Sequence, residues 1–235
     1  MMRYLHPVQA HERFLASGCY RFAKNGTALQ KTESWAMHVH ADGEKFLRVD
    51  VDARAEVGKS MLVEALVSQD DALVRLDIRY ENDRFELGVK TLRATYQAAA
   101  GRLQVGYSMN GGERDYIELE LPPGALIDVP LLVFRGGAIR KLASQAEGAL
   151  PIYVPMFENA QLFPGVLQRI ASPVEYIADD VLLLGEREIP ARRYRYIDKA
   201  LSYWIDQHGM ILKRVNSFKQ QEIVVEISNY APPKL

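Results

Sequence analysis

Along most of the chain, apolar and polar residues alternate with a period of two. Leu47, Val49 and Val51 are interleaved with Arg48, Asp50 and Asp52, and Val74, Leu76, Ile78 and Tyr80 with Arg75, Asp77 and Arg79. Phe85, Leu87 and Val89 stand among Arg84, Glu86 and Lys90, with Gly88 breaking the series. Ile117, Leu119 and Leu121 alternate with Tyr116, Glu118 and Glu120, and Ile223, Val225 and Ile227 lie beside Glu222 and Glu226. A period of two sends one set of side chains to each face of a strand. One apolar and one charged face marks an antiparallel sheet packed on one side and wet on the other.

The punctuation between these runs agrees. Asn25-Gly26, Asp42-Gly43, Asn110-Gly111-Gly112 and His208-Gly209 are compact turn signals, and Asn82-Asp83 is a further candidate. Such residues supply the positive φ that tight hairpins require. Strand and turn repeat so regularly that sequential strands are expected to be neighbours in a meander. One stretch differs. Ile127, Leu131, Phe134, Ala138, Ile139 and Leu142 recur at helical spacing. They predict a helix over Ile127–Leu142, with Asp128 as N-cap, Pro130 near the first turn and Phe134 packed on the sheet. The Gly136-Gly137 pair weakens that helix by roughly 1 kcal/mol per glycine. The next segment, Leu150–Gly165, carries three prolines and the apolar residues Ile152, Val154, Met156, Phe157, Leu162 and Phe163. It reads as an edge strand followed by a loop.

Length and charge narrow the picture. At 235 residues the chain is long enough for a single β domain spanning 1–235 with a substantial core. With 29 basic and 30 acidic residues the net charge is −1, so no overall field draws nucleic acid or an anionic membrane. The single Cys19 excludes an intramolecular disulfide. His6, His11, Glu12 and Arg13 interrupt any apolar leader run, and no stretch is long enough to span a bilayer as a helix. The sequence as it stands therefore predicts a cytoplasmic protein without membrane insertion.

Motifs for specific chemistry are sparse. Ala53-Arg54-Ala55-Glu56-Val57-Gly58-Lys59-Ser60 satisfies a permissive form of the phosphate-binding loop, but Glu56 would repel phosphate and the flanking pattern is strand and strand. An exposed turn that binds no nucleotide is expected. Gly106-Tyr107-Ser108-Met109-Asn110 misses the nucleophile elbow by one residue, and Ser108 leads into a hairpin rather than a helix. His38 and His40 share a strand face opposite Trp35, Met37 and Val39 and could share a metal if His6, His11 or an acid joined them. Asp50, Asp52, Asp70, Asp71, Asp179 and Asp180 match no calcium-loop spacing. Tyr194 and Tyr196 share a face and alternate with Arg193 and Arg195, and Tyr203-Trp204 follows. Such aromatics either pair across strands or line an apolar pocket. No cofactor is implied by any of these motifs.

The hairpin Tyr203-Trp204-Ile205-Asp206-Gln207-His208-Gly209-Met210-Ile211-Leu212-Lys213, followed by the strand from Glu222 to Tyr230, resembles the closing hairpin of the lipoprotein-localisation-factor-like half-barrels. It is similar as well to bacterial glycolipid-binding and unknown-function families with that fold. Gly18-Cys19-Tyr20-Arg21-Phe22, Asn25-Gly26, Trp35 and Asp42-Gly43 are similar to the opening strands of such a meander. The resemblance implies an all-β curved half-barrel or β-roll with the helical segment on its concave side. The fold family includes carriers of lipid-modified proteins that work outside the cytoplasm; the sequence shows neither a leader run nor a lipobox cysteine near its start, which argues against that carrier role, and the resemblance carries no catalytic residues.

The leading expectation is a non-enzymatic protein that binds a lipid or other apolar small molecule in the hollow of the half-barrel. The expected pocket is bordered by Tyr194, Tyr196, Trp204, Phe134, Phe157 and Phe163. The alternatives are an enzyme or metal protein with its site near His38 and His40, and a structural or protein-interaction module.

Overall fold

The computed structural model describes residues 2–70, 72–84, 90–122, 125–144, 152–155, 167–170, 174–196 and 198–233. The protein is all-β. In chain order the strands are β1 (Arg13–Lys24), β2 (Thr27–Val39), β3 (Lys45–Ala53), β4 (Lys59–Val67), β5 (Leu73–Asn82), β6 (Thr91–Ala99), β7 (Arg102–Met109) and β8 (Asp115–Glu120). After them come β9 (Leu126–Ile127), β10 (Ile152–Pro155), β11 (Leu167–Ile170), β12 (Glu175–Leu184), β13 (Arg187–Tyr196), β14 (Asp198–Ile205), β15 (Ile211–Phe218) and β16 (Gln221–Ala231). Two helices interrupt them, the single turn α1 (Arg54–Val57) and α2 (Leu132–Ala143).

Thirteen strands form one antiparallel meander in the order β12 to β16 and then β1 to β8. Among the described residues, the only non-sequential pairing in this sheet joins β16 to β1, so its first and last strands in chain order meet inside it. The sheet does not close, and β12 and β8 are its two edges. β9, β10 and β11 make a separate small sheet. There β10 is the central strand, parallel to β9 and antiparallel to β11, and not the edge strand that its prolines predicted. Pro155 closes β10, a position at a strand end where the missing N–H costs little.

The period-two reading carries through to the core. Leu47, Val49 and Val51 of β3, Met61, Val63 and Ala65 of β4, and Leu76, Ile78 and Tyr80 of β5 all point to one buried face. They join Trp35, Tyr96, Leu103, Tyr194 and Tyr203 in a single cluster, which requires the sheet to curl around its own core face. Asn25-Gly26 makes the β1–β2 turn with both residues at positive φ, as the hairpin geometry demands. Ala100-Gly101 and Lys219-Gln220 turn in the same way without an asparagine, and gave no comparable signal. The alternating run of Phe85, Leu87 and Val89 lies outside the described residues.

The helix forms where the spacing predicts it but is capped differently. It starts at Leu132, and Leu131 at the N-cap offers no side-chain acceptor. The cap comes from across the sheet: Glu33 of β2 accepts hydrogen bonds from the N–H groups of Leu132 at 2.8 Å and Val133 at 3.4 Å. Asp128 is fully buried and serves another purpose. It accepts the Tyr196 hydroxyl at 3.1 Å and pairs with Arg135 at 3.2 Å, tying the helix to β13. At the far end the Arg140 guanidinium donates to the Gln207 carbonyl at 2.6 Å, in the β14–β15 turn.

Gly136-Gly137, which weakens the helix on propensity alone, has a packing reason at its first position. A Cβ on Gly136 would overlap the Gly209 carbonyl oxygen, so glycine lets α2 lie directly on the β14–β15 turn. At Gly137 a Cβ would meet nothing within 4 Å. The two positions should therefore respond oppositely in urea unfolding. Gly136→Ala is expected to destabilise by about 1–3 kcal/mol through overpacking. Gly137→Ala is expected to stabilise by up to about 1 kcal/mol through helix propensity. Equal effects of one sign would contradict this contact.

Candidate functional site

α2 is tied to β2, β13 and the β14–β15 turn, and beside it lies a space that His208, Gly209 and Met210 of that turn also border. Between α2 and residues of β1 to β7 lies an open-sided cavity of about 1060 Å³. Met37, Leu47, Val67, Leu73, Ala98 and Leu121 line it from the sheet, and Val133, Phe134, Gly137 and Ala138 from the helix. Ile127 of β9 and Val129 of the following loop complete the apolar wall. This volume lies just above the roughly 300–1,000 Å³ usual for small-molecule sites, and the apolar wall shares the lining with Lys45, Asp70, Arg102, Arg140 and Lys141. Small residues make the room. The run Ala98-Ala99-Ala100-Gly101 across the β6–β7 hairpin contributes almost no side-chain bulk, and all four residues border the cavity.

Of the expected pocket residues, Phe134 borders this cavity. Tyr194 and Tyr196 do share a face, but both are buried in the core cluster on the anchored side of α2. Trp204 lies on the opposite face from them. It pairs in register with Arg193 while Tyr194 pairs with Tyr203, and directly paired residues share a face. There its indole N–H donates to Asp180 at 2.7 Å, with Arg193 stacked 5.6 Å from the ring. The three aromatics therefore cannot border one pocket. Phe157 and Phe163, with most of the Leu150–Gly165 stretch, lie outside the described residues.

Two buried carboxyl groups stand beside the cavity helix. Burial pushes the Glu33 carboxyl up to about 7, against the pull of the Val133 and Leu132 N–H groups and of Lys31 and Arg214. Burial also raises Asp128, opposed chiefly by Arg135 and the Tyr196 hydroxyl. Neither lines the cavity. Both hold α2 in place.

The other candidate motifs resolve into structure. Arg54–Val57 forms the single helical turn α1, and Gly58 ends it at φ 72°. Lys59 and Ser60 already belong to β4. The Glu56 carboxylate accepts the Gln30 N–H at 2.8 Å, and Arg84 holds the Glu56 and Ala55 carbonyls. The segment is a tethered strand-to-strand turn, not a phosphate cradle. Ser108 lies within β7, paired with Arg93 of β6, with no elbow.

His38 and His40 belong to an ionic cluster on the face opposite the core. This face of β3 and β4 was expected to be wet, yet Arg48, Asp50 and Glu64 are buried. The irregular segment before β1 covers them. Arg3 pairs with Asp50 at 2.7 Å, His6 with Glu64 at 2.9 Å and Glu12 with Arg48 at 2.6 Å. Arg48 also reaches Glu64 at 2.9 Å and His38 Nδ1 at 3.3 Å. Burial and the Arg48 charge lower the His38 pKa, which disfavours its protonation. His40 packs against the rings of His11 and Phe46. Among the described residues, no three or more His, Cys, Asp or Glu side chains are placed to hold a metal ion. No helix among them is long and apolar enough to cross a membrane.

No protein-family model matches the chain, and no curated protein matches it in sequence. A solved structure does. The chain is similar to a "Beta-barrel-like Protein of Domain of Unknown Function DUF1849" from Brucella abortus, with a TM-score of 0.58. The match covers 95% of this chain and 100% of that one at 11% identity, which establishes a shared fold and nothing about activity.

Proposed function

We propose that the protein is a non-enzymatic binding protein that holds an acyl chain or a similar apolar ligand in the cavity beside α2. The observation that carries this reading is the cavity itself, about 1060 Å³ with apolar walls on both the sheet and the helix side. A methylene moved from water into such a wall gains about 0.8 kcal/mol, so chain length should control affinity. The helix that forms one wall is held by the Arg135–Asp128 charge pair, the Arg140 hydrogen bond to the Gln207 carbonyl and the close Gly136–Gly209 contact, none of which needs a ligand.

Titration of the purified protein with a fluorescent fatty-acid probe tests the reading. Saturable binding is expected, and competing unlabelled acids should tighten about three- to fourfold per added methylene until the cavity is full. Absence of a saturable signal would overturn the proposal and leave a structural or interaction role.

A further inference from the structure

The cavity lining is apolar within and charged where it meets solvent. Among the described residues that border it, Lys45, Arg102, Arg140 and Lys141 are cationic, and Asp70 is the one carboxylate. Arg102, Arg140 and Lys141 are exposed, which places them at the opening rather than in its depth. Arg102 is engaged with Glu118 at 2.7 Å. Arg140 donates to the Gln207 backbone carbonyl, a neutral acceptor that leaves its positive charge in place. Lys141 follows it on the last turn of α2. A basic residue in the last turn offsets the helix dipole, which accounts for one cation there. Two neighbouring cations at the mouth of an apolar hollow exceed that need.

We infer that the ligand is an anionic amphiphile, with its chain inside the cavity and its carboxylate or phosphate head at Arg140 and Lys141. This rests on the cavity being a ligand site, as proposed above, and adds the chemistry of the head group. A guanidinium matches a carboxylate or phosphate with paired N–H donors, and an ammonium adds a point charge beside it. An uncharged head would leave both cations in water, unchanged from the free protein. A cationic head would meet like charge.

Displacement of a neutral, apolar fluorescent probe by dodecanoate, dodecanol and dodecyltrimethylammonium separates the cases, since the three share one chain. Dodecanoate is expected to displace the probe at about tenfold lower concentration than dodecanol, with dodecyltrimethylammonium weakest. High salt should shrink that advantage while sparing dodecanol. In Arg140→Gln/Lys141→Gln the advantage should vanish with dodecanol unchanged, because glutamine can still donate to the Gln207 carbonyl. If dodecanol matches dodecanoate in the native protein, the anionic head group is wrong and the apolar site stands. If the neutral probe itself fails to bind, the apolar site falls, and the head group with it.

Discussion

Replacing Arg48 with alanine is expected to cost about 3–5 kcal/mol of folding stability, the usual penalty for breaking a buried ion pair from one side. The side chain is 3% exposed, and it holds Glu12 with two hydrogen bonds, at 2.6 and 2.9 Å, and Glu64 with one at 2.9 Å. Without it both carboxylates lose their guanidinium partner, while Glu64 keeps His6 at 2.9 Å and Glu12 keeps the Gln9 N–H at 3.2 Å. Burial raises the Glu12 pKa, but the hydrogen bonds and charge of Arg48 outweigh it, and the group lies below its ordinary value. A neutral triple variant, Arg48→Met with Glu12→Gln and Glu64→Gln, should recover most of the loss, since removing a whole buried pair is far cheaper than removing half of it. Urea unfolding measures both. A single-variant loss under about 1 kcal/mol would show that water reaches this cluster and that the amino-terminal segment does not seal it.

The second large effect depends on pH. The Glu33 pKa is raised by burial, from 4.5 to about 7 in the folded protein. Between those values the folded state holds a proton that the unfolded state releases. The contribution is fully present below pH 4.5 and is lost as pH rises through about 7, a swing of roughly 3 kcal/mol. Glu33→Gln keeps an acceptor for the Leu132 and Val133 N–H groups and cannot ionise. The stability of this variant relative to the parent should therefore climb by roughly 2.5 kcal/mol between pH 5 and pH 8. Taking the difference matters, because Glu12 and His38 both have lowered values and favour the folded state as pH rises. A constant difference across that range would mean that Glu33 is ionised throughout and acts as a simple charged cap on α2.

The same residues show how much of this molecule is legible in its sequence. Period-two runs such as Leu47-Arg48-Val49-Asp50-Val51 locate strands and pick out the core face. They cannot say what covers the other face, because Arg48 and Asp50 look identical whether they meet water or a folded-back amino terminus. Parity within one strand places Tyr194 beside Tyr196, but placing Trp204 needs the register between β13 and β14, including its irregularity near Tyr196. The helix is legible from its spacing. Its cap is not, since Glu33 is 99 residues from Leu132. Gly136 reads as a defect until the β14–β15 turn is seen against it. Large aromatics such as Tyr194 and Tyr196 mark the core rather than the cavity here, because small residues such as Ala98 and Gly137 stand at the opening between helix and sheet.

Gly137 also gives the most direct test of the central claim. It borders the cavity from an exposed position, and a Cβ placed there meets no atom within 4 Å, so Gly137→Phe sets a large ring at the helix side of the cavity without a clash at its Cβ. The substitution also removes a glycine from a helix interior, which favours folding. Titrated with the fluorescent fatty-acid probe beside the parent protein, Gly137→Phe is predicted to retain or raise the unfolding midpoint and to lose saturable binding. Undiminished binding in a folded Gly137→Phe protein would contradict the account and place any acyl ligand elsewhere on the molecule.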